Sequence, residues 1–359
     1  MEKIKNTTSQ EPEFSGHVYI FFAFDVGDEI DLKRVKNDRI IQTEGTQQSK
    51  FLQNYHIPLT IELPHPNDSG RCINSKLHPF GVISLTYKIP LAGNFQEMKS
   101  LMVSIDEKYQ EQSIQDAHSI YKKITNYIQK ANFFQLKNYY TVIQIDTQRN
   151  LAGKDIQRLH GEDLASLVRF ETQSLSEAQK QSILNQEIGY FSDDLVVIES
   201  EAAFVYDAQY EDLLIFFELA NIQQLELHYF YTLLDAQLNA IYDQKSVKPP
   251  LFSYLPFIGS TYYDPMNEIN QLQVDISVVT ERFENGVRIV GEPFFANVYS
   301  QLIKKLDIRK WNEAIEKKFS IIKEMRQVHQ EKVTANKDDL LTVLIIILIL
   351  TELVVALIK

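Results

Sequence analysis

The sequence predicts an α+β fold, a mixed-sheet domain with packed helices followed by a C-terminal helical hairpin stalk and one transmembrane helix, and three observations predict it. Short β-branched and aromatic runs alternate with longer stretches of helical apolar spacing up to about residue 248. A Pro-rich break at residues 248–265, containing PPLFSYLPF, separates that part from a helical remainder. The chain then runs through LLTVLIIILILTELVVALI at residues 340–358, interrupted only by Thr342, Thr351 and Glu352. As a helix this stretch is roughly 28 Å long, enough to cross a hydrocarbon core.

Taken in order, residues 17–25 (HVYIFFAFD) form an aromatic and aliphatic run too short for a span, which predicts a buried strand closed by Gly27. Asp28 opens DEIDLKRV, acids first and Lys33 and Arg34 later, the charge order of a short helix. Further strands are expected at 39–43 and 56–63, where Pro58 confines the second to a sheet edge, and at 80–89 (FGVISLTYKI). Leu101, Ile105, Tyr109, Ile120, Ile124 and Ile128 recur at helical spacing, which predicts a long amphipathic helix or a broken pair over 94–130. A strand at 139–146, helix over 155–186 and strands at 195–200 and 203–207 continue the alternation.

Residues 211–243 read as a long helix, apolar on most sides and buried between layers; Glu218, Glu226, His228 and Asp235 argue against a second span. Beyond 293 a helix at 299–306 and a second helix toward the membrane form a hairpin, with Asp307 as the expected N-cap. In the second helix Ile308, Trp311, Ile315, Ile322, Met325 and His329 keep a 3-4 spacing, with Phe319 one residue out of step. Such a seam packs on a hairpin partner or in an intermolecular coiled coil. The expected organisation is a flexible N-terminus (1–16), an α+β domain (17–248), a connecting region (249–292), the hairpin stalk (293–337) and a transmembrane tail anchor (338–359).

Charge is uneven along this plan. Residues 301–339 carry ten basic against seven acidic side chains, and the net charge of the whole chain is −12, so the first 300 residues are strongly acidic. An acidic body argues against a nucleic-acid partner, because duplex binding rests on neutralising phosphates. The basic residues Lys323, Arg326, Lys332 and Lys337 crowd the N-terminal flank of the span and only Lys359 follows it, which places the bulk of the chain in the cytoplasm. The first residues lack a long apolar run and an Arg-rich character, so neither a signal peptide nor an organelle presequence is expected. Cys72 is the single cysteine, which excludes an intramolecular disulfide and any multi-cysteine zinc site.

The stretch from Gly291 onward resembles the C-terminal region of the family named "required for meiotic nuclear division". The likeness rests on Glu292 to Phe295 as a Pro-Glu-Phe-Phe-like start, Tyr299 in a helix, Leu306 to Ile308 as a Leu-Glu-Ile-like turn, the helix 311–330 and a span containing Glu352. YFSDDLVVIES at 190–200 is similar to that family's Ser-Asp-Asp approach to a strand. The resemblance implies a membrane-tethered α+β protein of uncharacterised activity with no assigned catalytic residue, some relatives being linked to organelle translation. Without a presequence, a bacterial relative in the inner membrane is favoured over a mitochondrial one.

Chemistry-bearing residues are sparse. Asp25, Asp28, Glu29 and Asp31 are the candidates for a hard cation such as magnesium, against the alternative of a strand end followed by an acidic helix start. His56, His65, Cys72 and His78 share one Pro-rich stretch but contain no close ligand pair, so a solvated loop is expected there. Asp193 and Asp194 read as a turn. No GxxxxGK[ST], GxGxxG or GxSxG occurs, so no catalytic residue and no cofactor is assigned. The expected function is a membrane-tethered scaffold or adaptor, with the lipid bilayer and an unidentified protein as partners and homo-oligomers allowed; the alternative is a metal-dependent enzyme acting on a phosphorylated substrate through the Asp25 to Asp31 acids.

Overall fold

The computed structural model describes residues 13–43, 58–67, 69–133, 136–171, 173–185, 188–189, 191, 193–244, 272–274, 276–277, 281 and 293–358. Its centre is strand β1 (Phe14–Asp25), antiparallel to β5 (Val82–Gly93) on one side and to β7 (Lys137–Ile145) on the other. With β3 (Leu59–Thr60), β4 (Cys72–His78), β8 (Leu195–Ile198) and β9 (Ala202–Tyr206) it forms a seven-stranded mixed sheet in the order β3-β4-β5-β1-β7-β9-β8. Only β7 and β9 pair in parallel. A parallel pair needs a crossover, and α3 (Gly153–Val168) and α4 (Glu177–Leu184) supply it. A separate two-stranded ladder joins β2 (Glu29–Ile30) to β6 (Ile128–Gln129).

Strand periodicity sends alternate residues of β1 to opposite faces. Ile20, Phe22 and Phe24 enter an apolar core with Tyr87 of β5 and with Met98, Met102, Ile105 and Tyr109 of α2 (Phe95–Ile124). The Phe22 and Tyr87 rings meet edge to face at 5.6 Å. Helix α2 starts where it does because Asn94 and Glu97 form a reciprocal capping box, Asn94 Oδ1 accepting from Glu97 N and Glu97 Oε2 from Asn94 N, both at 3.0 Å.

The opposite face carries Tyr19, Phe21, Ala23 and Asp25 of β1, with Ser84 opposite Ala23 and Asn138 on its other side. Helix α5 (Glu211–Gln244) covers this face. Phe217 stacks on Tyr140 at 5.5 Å, and Asn221 donates its amide hydrogen to Phe21 O at 3.0 Å. Helix α6 (Pro293–Lys305) adds a second layer through Phe295 on Phe216, ring centroids 5.2 Å apart, and through Tyr299.

By internal contacts the chain divides into two units, Met1–Tyr229 with Thr280–Arg309, and Phe230–Val279 with Lys310–Lys359. The first holds both sheets. In the second, α7 (Ile308–Ile358) packs on the C-terminal half of α5: Trp311 meets Tyr231 edge to face at 5.2 Å, and Lys318 pairs with Asp235 while sitting 3.3 Å above the Tyr231 ring. Ile315, Phe319 and Ile322 are buried there, so this part of the apolar seam is covered within one chain rather than by a second one.

Several sequence-based expectations change in detail. Asp28 does not begin a helix: the ladder residues Glu29 and Ile30 come first, and α1 (Leu32–Asn37) is capped by Asp31, whose carboxylate accepts from Arg34 N at 3.0 Å. Residues 39–43 contribute a single bridge, Thr43 to Ile61, because Arg39 takes φ 50 and turns the chain. The helix expected over 94–130 ends at Ile124 in a 3-10 turn, and the one over 155–186 is two helices. Asp307, immediately before α7, has φ 54, a left-handed geometry that ends α6, and its N–H bonds Lys304 O at 3.3 Å. Helix α7 continues from the expected stalk into the apolar segment. The Pro-rich boundary at 248–265 and residues 1–12 lie outside the described residues.

Candidate functional site

The unusual chemistry of the first unit lies between the sheet and α5, where polar side chains replace apolar ones at buried positions. Ser84 on β5 donates to Glu218 Oε1 at 2.9 Å, and Lys76 on β4 binds Glu218 Oε2 at 2.5 Å. His78 Nε2 lies 3.1 Å from the Ser84 oxygen. Since the Ser84 hydrogen points to Glu218, His78 Nε2–H is the donor of that contact, which fixes the imidazole tautomer. Burial, aided by the Lys76 charge and opposed by Glu218, pulls His78 down to about 3, so the ring is neutral. Burial pushes Glu218 upward, but Lys76 foremost, with the hydrogen bonds, holds its carboxyl below the usual range. An ionised acid is therefore kept inside the fold by one cation and one hydroxyl.

Two turns further along α5, Glu226 is 3% exposed and its Oε1 has no hydrogen-bond partner. Burial and the neighbouring charge of Asp25 raise its pKa well above the ordinary carboxylate value. Asp25 ends β1 at 3% exposure, its Oδ1 accepting from Gly27 N at 3.0 Å. Burial, opposed by that bond and reinforced by Asp28, pushes Asp25 up to about 7. Tyr229 completes the group, raised well above the ordinary phenol value first by burial, then by the charges of Asp25, Asp28 and Glu226 and by its hydrogen bond with Asp28. At the far edge, Glu199 is clasped by Arg169 Nη2 at 2.9 Å and by Lys305 of α6. Tyr299 of α6 donates to Gln223 Oε1 at 2.6 Å, and Gln224 reaches Leu306 O at 3.3 Å.

These bonds position helices rather than a reaction. A nucleophilic serine gives its proton to a base, and here the base would be Glu218, but Ser84 is 2% exposed with Glu218 and His78 sealed beside it. Of the four acids singled out by sequence, only Asp25 is buried. Asp28 pairs with Lys130 at 2.6 Å, Glu29 accepts from Gln129 Nε2 at 3.2 Å, and Asp31 caps α1. Among the described residues no group of three or more His, Cys, Asp or Glu is arranged to hold a metal ion. Of the four, Asp25 and Asp28 are close enough for their charges to interact, and Glu226, from a distant helix, joins them beside Tyr229. Of the histidine and cysteine set, Cys72 is buried and its thiol is pushed up to about 12 by burial; His56 lies outside the described residues.

The other chemically distinct region is on α7. Its segment Leu341–Ile358 is long and apolar enough to cross a membrane, and none of it is buried. Lys323 is exposed on the same helix; Arg326, Lys332 and Lys337 follow it, with side chains outside the described residues.

The fold and this polar layer define a class: an α+β protein with a mixed seven-stranded sheet, whose buried polar face takes helices from its C-terminal part. Residues 15–212 match the sequence model described as "Uncharacterized protein MJ0711, N-terminal domain", and the chain belongs to that family. It is 24% identical over 199 residues to "Uncharacterized protein MJ0711" of Methanocaldococcus jannaschii, a match covering 55% of this chain and 59% of the relative. The chain thus spans less than two thirds of that relative's length. No solved structure matches.

This match replaces the resemblance to the "required for meiotic nuclear division" family. That likeness rested mainly on residues after 290, where aromatic residues at a helix start, a two-residue turn and a long helix are what any helix pair packed on a core requires. The relative is archaeal, and it gives no support to a bacterial inner membrane. The matched segment contains Asp25, Lys76, His78 and Ser84 on the sheet, whereas Glu218 and Glu226 lie beyond it. Sequence reading missed both as site residues; the available signal was an acid inside an otherwise apolar helix.

Proposed function

We propose that this chain is a membrane-tethered scaffold or adaptor: a single C-terminal span anchors it, and the acidic α+β domain on the cytoplasmic side presents a surface to a protein partner. The observation that supports this reading is the continuity of α7, one helix of 51 residues that passes from buried Ile315 and Ile322 to an apolar segment with every residue from Leu341 to Ile358 exposed. A helix that shows apolar side chains on all sides has its matching solvent in lipid. The basic residues Lys323, Arg326, Lys332 and Lys337 ahead of the span favour the cytoplasmic orientation. The polar layer under α5 supports a binding role over a catalytic one, since Ser84, Lys76 and Glu218 are engaged with one another between sheet and helix.

The test is fractionation of the full chain beside a variant lacking residues 341–358. The full chain is expected to resist alkaline extraction from membranes and the shortened one to appear in the supernatant. Extraction of the full chain, or retention of the shortened one, overturns the single-span reading.

A further inference from the structure

Within the exposed segment Leu341–Ile358 the one ionisable side chain is Glu352, and among the described residues its carboxyl has no hydrogen-bond or ion-pair partner. The nearby hydroxyl is already committed, Thr351 Oγ1 donating to Leu348 O at 2.7 Å. At 1.5 Å per residue Glu352 lies about 9 Å inside the Ile358 end and about 16 Å inside the Leu341 end. A carboxyl at such depth cannot be satisfied by hydrocarbon, and residues of this kind face another polar group. Four residues on, one helical turn away on the same face, stands Ala356, the only Ala, Gly or Ser in the segment. Small residues let helix backbones approach closely in lipid. An acid in need of a partner and a small residue beside it therefore mark one stripe, completed by Ile345, Leu348, Ile349 and Val355.

We propose that this stripe is a homodimer interface, in which Glu352 of one chain meets Glu352 of a second copy across a two-fold axis. The reading rests on the membrane assignment above. A second copy is the occupant because two identical spans inserted in the same direction place their carboxyls at the same depth. A carboxylic acid group, carrying both donor and acceptor, is self-complementary, as an isologous interface requires.

The full chain in membranes tests this through single added cysteines, since native Cys72 is 1% exposed and does not compete. Leu348→Cys and Val355→Cys, on the stripe, are expected to cross-link under oxidation to a species of twice the 41.7 kDa chain mass. Leu350→Cys and Val354→Cys, on the opposite face, are expected not to. Adding Glu352→Leu to Leu348→Cys should lower the cross-linked fraction by about tenfold, and Glu352→Gln, which keeps a donor and an acceptor, should retain it. Equal cross-linking on both faces, no effect of Glu352→Leu, or a product of another mass, meaning a different protein on the stripe, overturns the dimer. Alkaline extraction of the same samples separates the two failures. Chains that stay in the membrane without cross-linking sink the interface alone, whereas chains that are extracted sink the membrane reading.

Discussion

The Ser84 hydroxyl on β5 donates to Glu218 Oε1 on α5 at 2.9 Å, a bond that joins residues 134 positions apart. It makes the second face of the sheet selective: a helix without an acid at this point would take from buried Ser84 and half-buried Lys76 the carboxylate that they share. Buried ionic groups contribute little net stability against an apolar replacement, yet removing one partner alone is costly. The layer therefore fixes which helix packs there, and in what register, more than how tightly it packs.

Glu218→Ala is expected to destabilise the first unit by about 2–4 kcal/mol, because the buried Ser84 hydroxyl loses its acceptor and the half-buried Lys76 charge its counter-ion. The double change Lys76→Met with Glu218→Leu should recover a large part of that loss. Denaturant unfolding of the full chain in detergent compares the three proteins. A double variant no better than the single one would mean that the layer contributes through packing and not through charge.

Stability should depend on pH through Asp25 and Glu226. Burial raises both carboxyls, Asp25 to about 7, so the folded chain holds protons that the unfolded chain releases. Their contribution is full below the ordinary carboxylate pKa and is lost as pH rises, through about 7 for Asp25, with a size on the order of a few kcal/mol. Neutral His78 acts oppositely: burial lowers it from 6.5 to about 3, so the unfolded chain gains the proton first and stability falls as pH drops through that window. Asp25→Asn isolates the first effect. Relative to the unmodified protein, its melting temperature should differ least near pH 4 and be increasingly the higher toward pH 8; a difference that does not vary with pH would rule the acid pair out as the source.

Asp31 and Asp28 should separate cleanly. Asp31→Ala removes the cap of α1 and is expected to cost about 1 kcal/mol. Asp28→Ala removes its pair with Lys130, whose side chain is 80% exposed, and its hydrogen bond with Tyr229, so its loss should be matched by Tyr229→Phe and not by Asp31→Ala. Thermal unfolding of the three variants gives the order. A loss at Asp28 that Tyr229→Phe does not share would place the helix start where the charge pattern alone suggested it.

That reversal shows how far local pattern reaches. The aromatic run of β1, the helical apolar spacing of α2 and the apolar segment of α7 are local patterns, and each was legible in order along the chain. Asp25 to Asp31 look like one cluster in sequence, but Asp25 ends a strand facing α5, and Gly27 at φ 145 then turns the chain outward so that its neighbours meet solvent. The polar layer was not legible, because Lys76 and Glu218 are 142 positions apart and neither carries a local signature of its partner. In sequence, Glu218 and Glu226 told only that α5 is not a span, which is correct but is half of their meaning. The break between α6 and α7 at Asp307 was located correctly. Its left-handed backbone was not legible, because an Asp between two helices fits both a cap and a left-handed turn.

The basic residues of α7 should strengthen attachment to anionic lipid. Each cation close to a negative surface is worth about 1 kcal/mol, and salt screens it over a Debye length. Lys323, Arg326, Lys332 and Lys337 precede the span, while Asp338 and Asp339 partly oppose them. A chain ending at Lys337, with helix content verified by circular dichroism, is therefore expected to bind vesicles containing anionic lipid at low salt and to dissociate as salt is raised. Replacing the four basic residues with Gln should abolish that binding while leaving the fold of the sheet domain unchanged, since Lys323 is exposed and the other three lie beyond it on the same helix. Equal binding to neutral and anionic vesicles, or binding that survives the four replacements, would assign this basic stretch to a protein partner instead, and salt-sensitive capture of that partner on the full chain would then be the measurement to make.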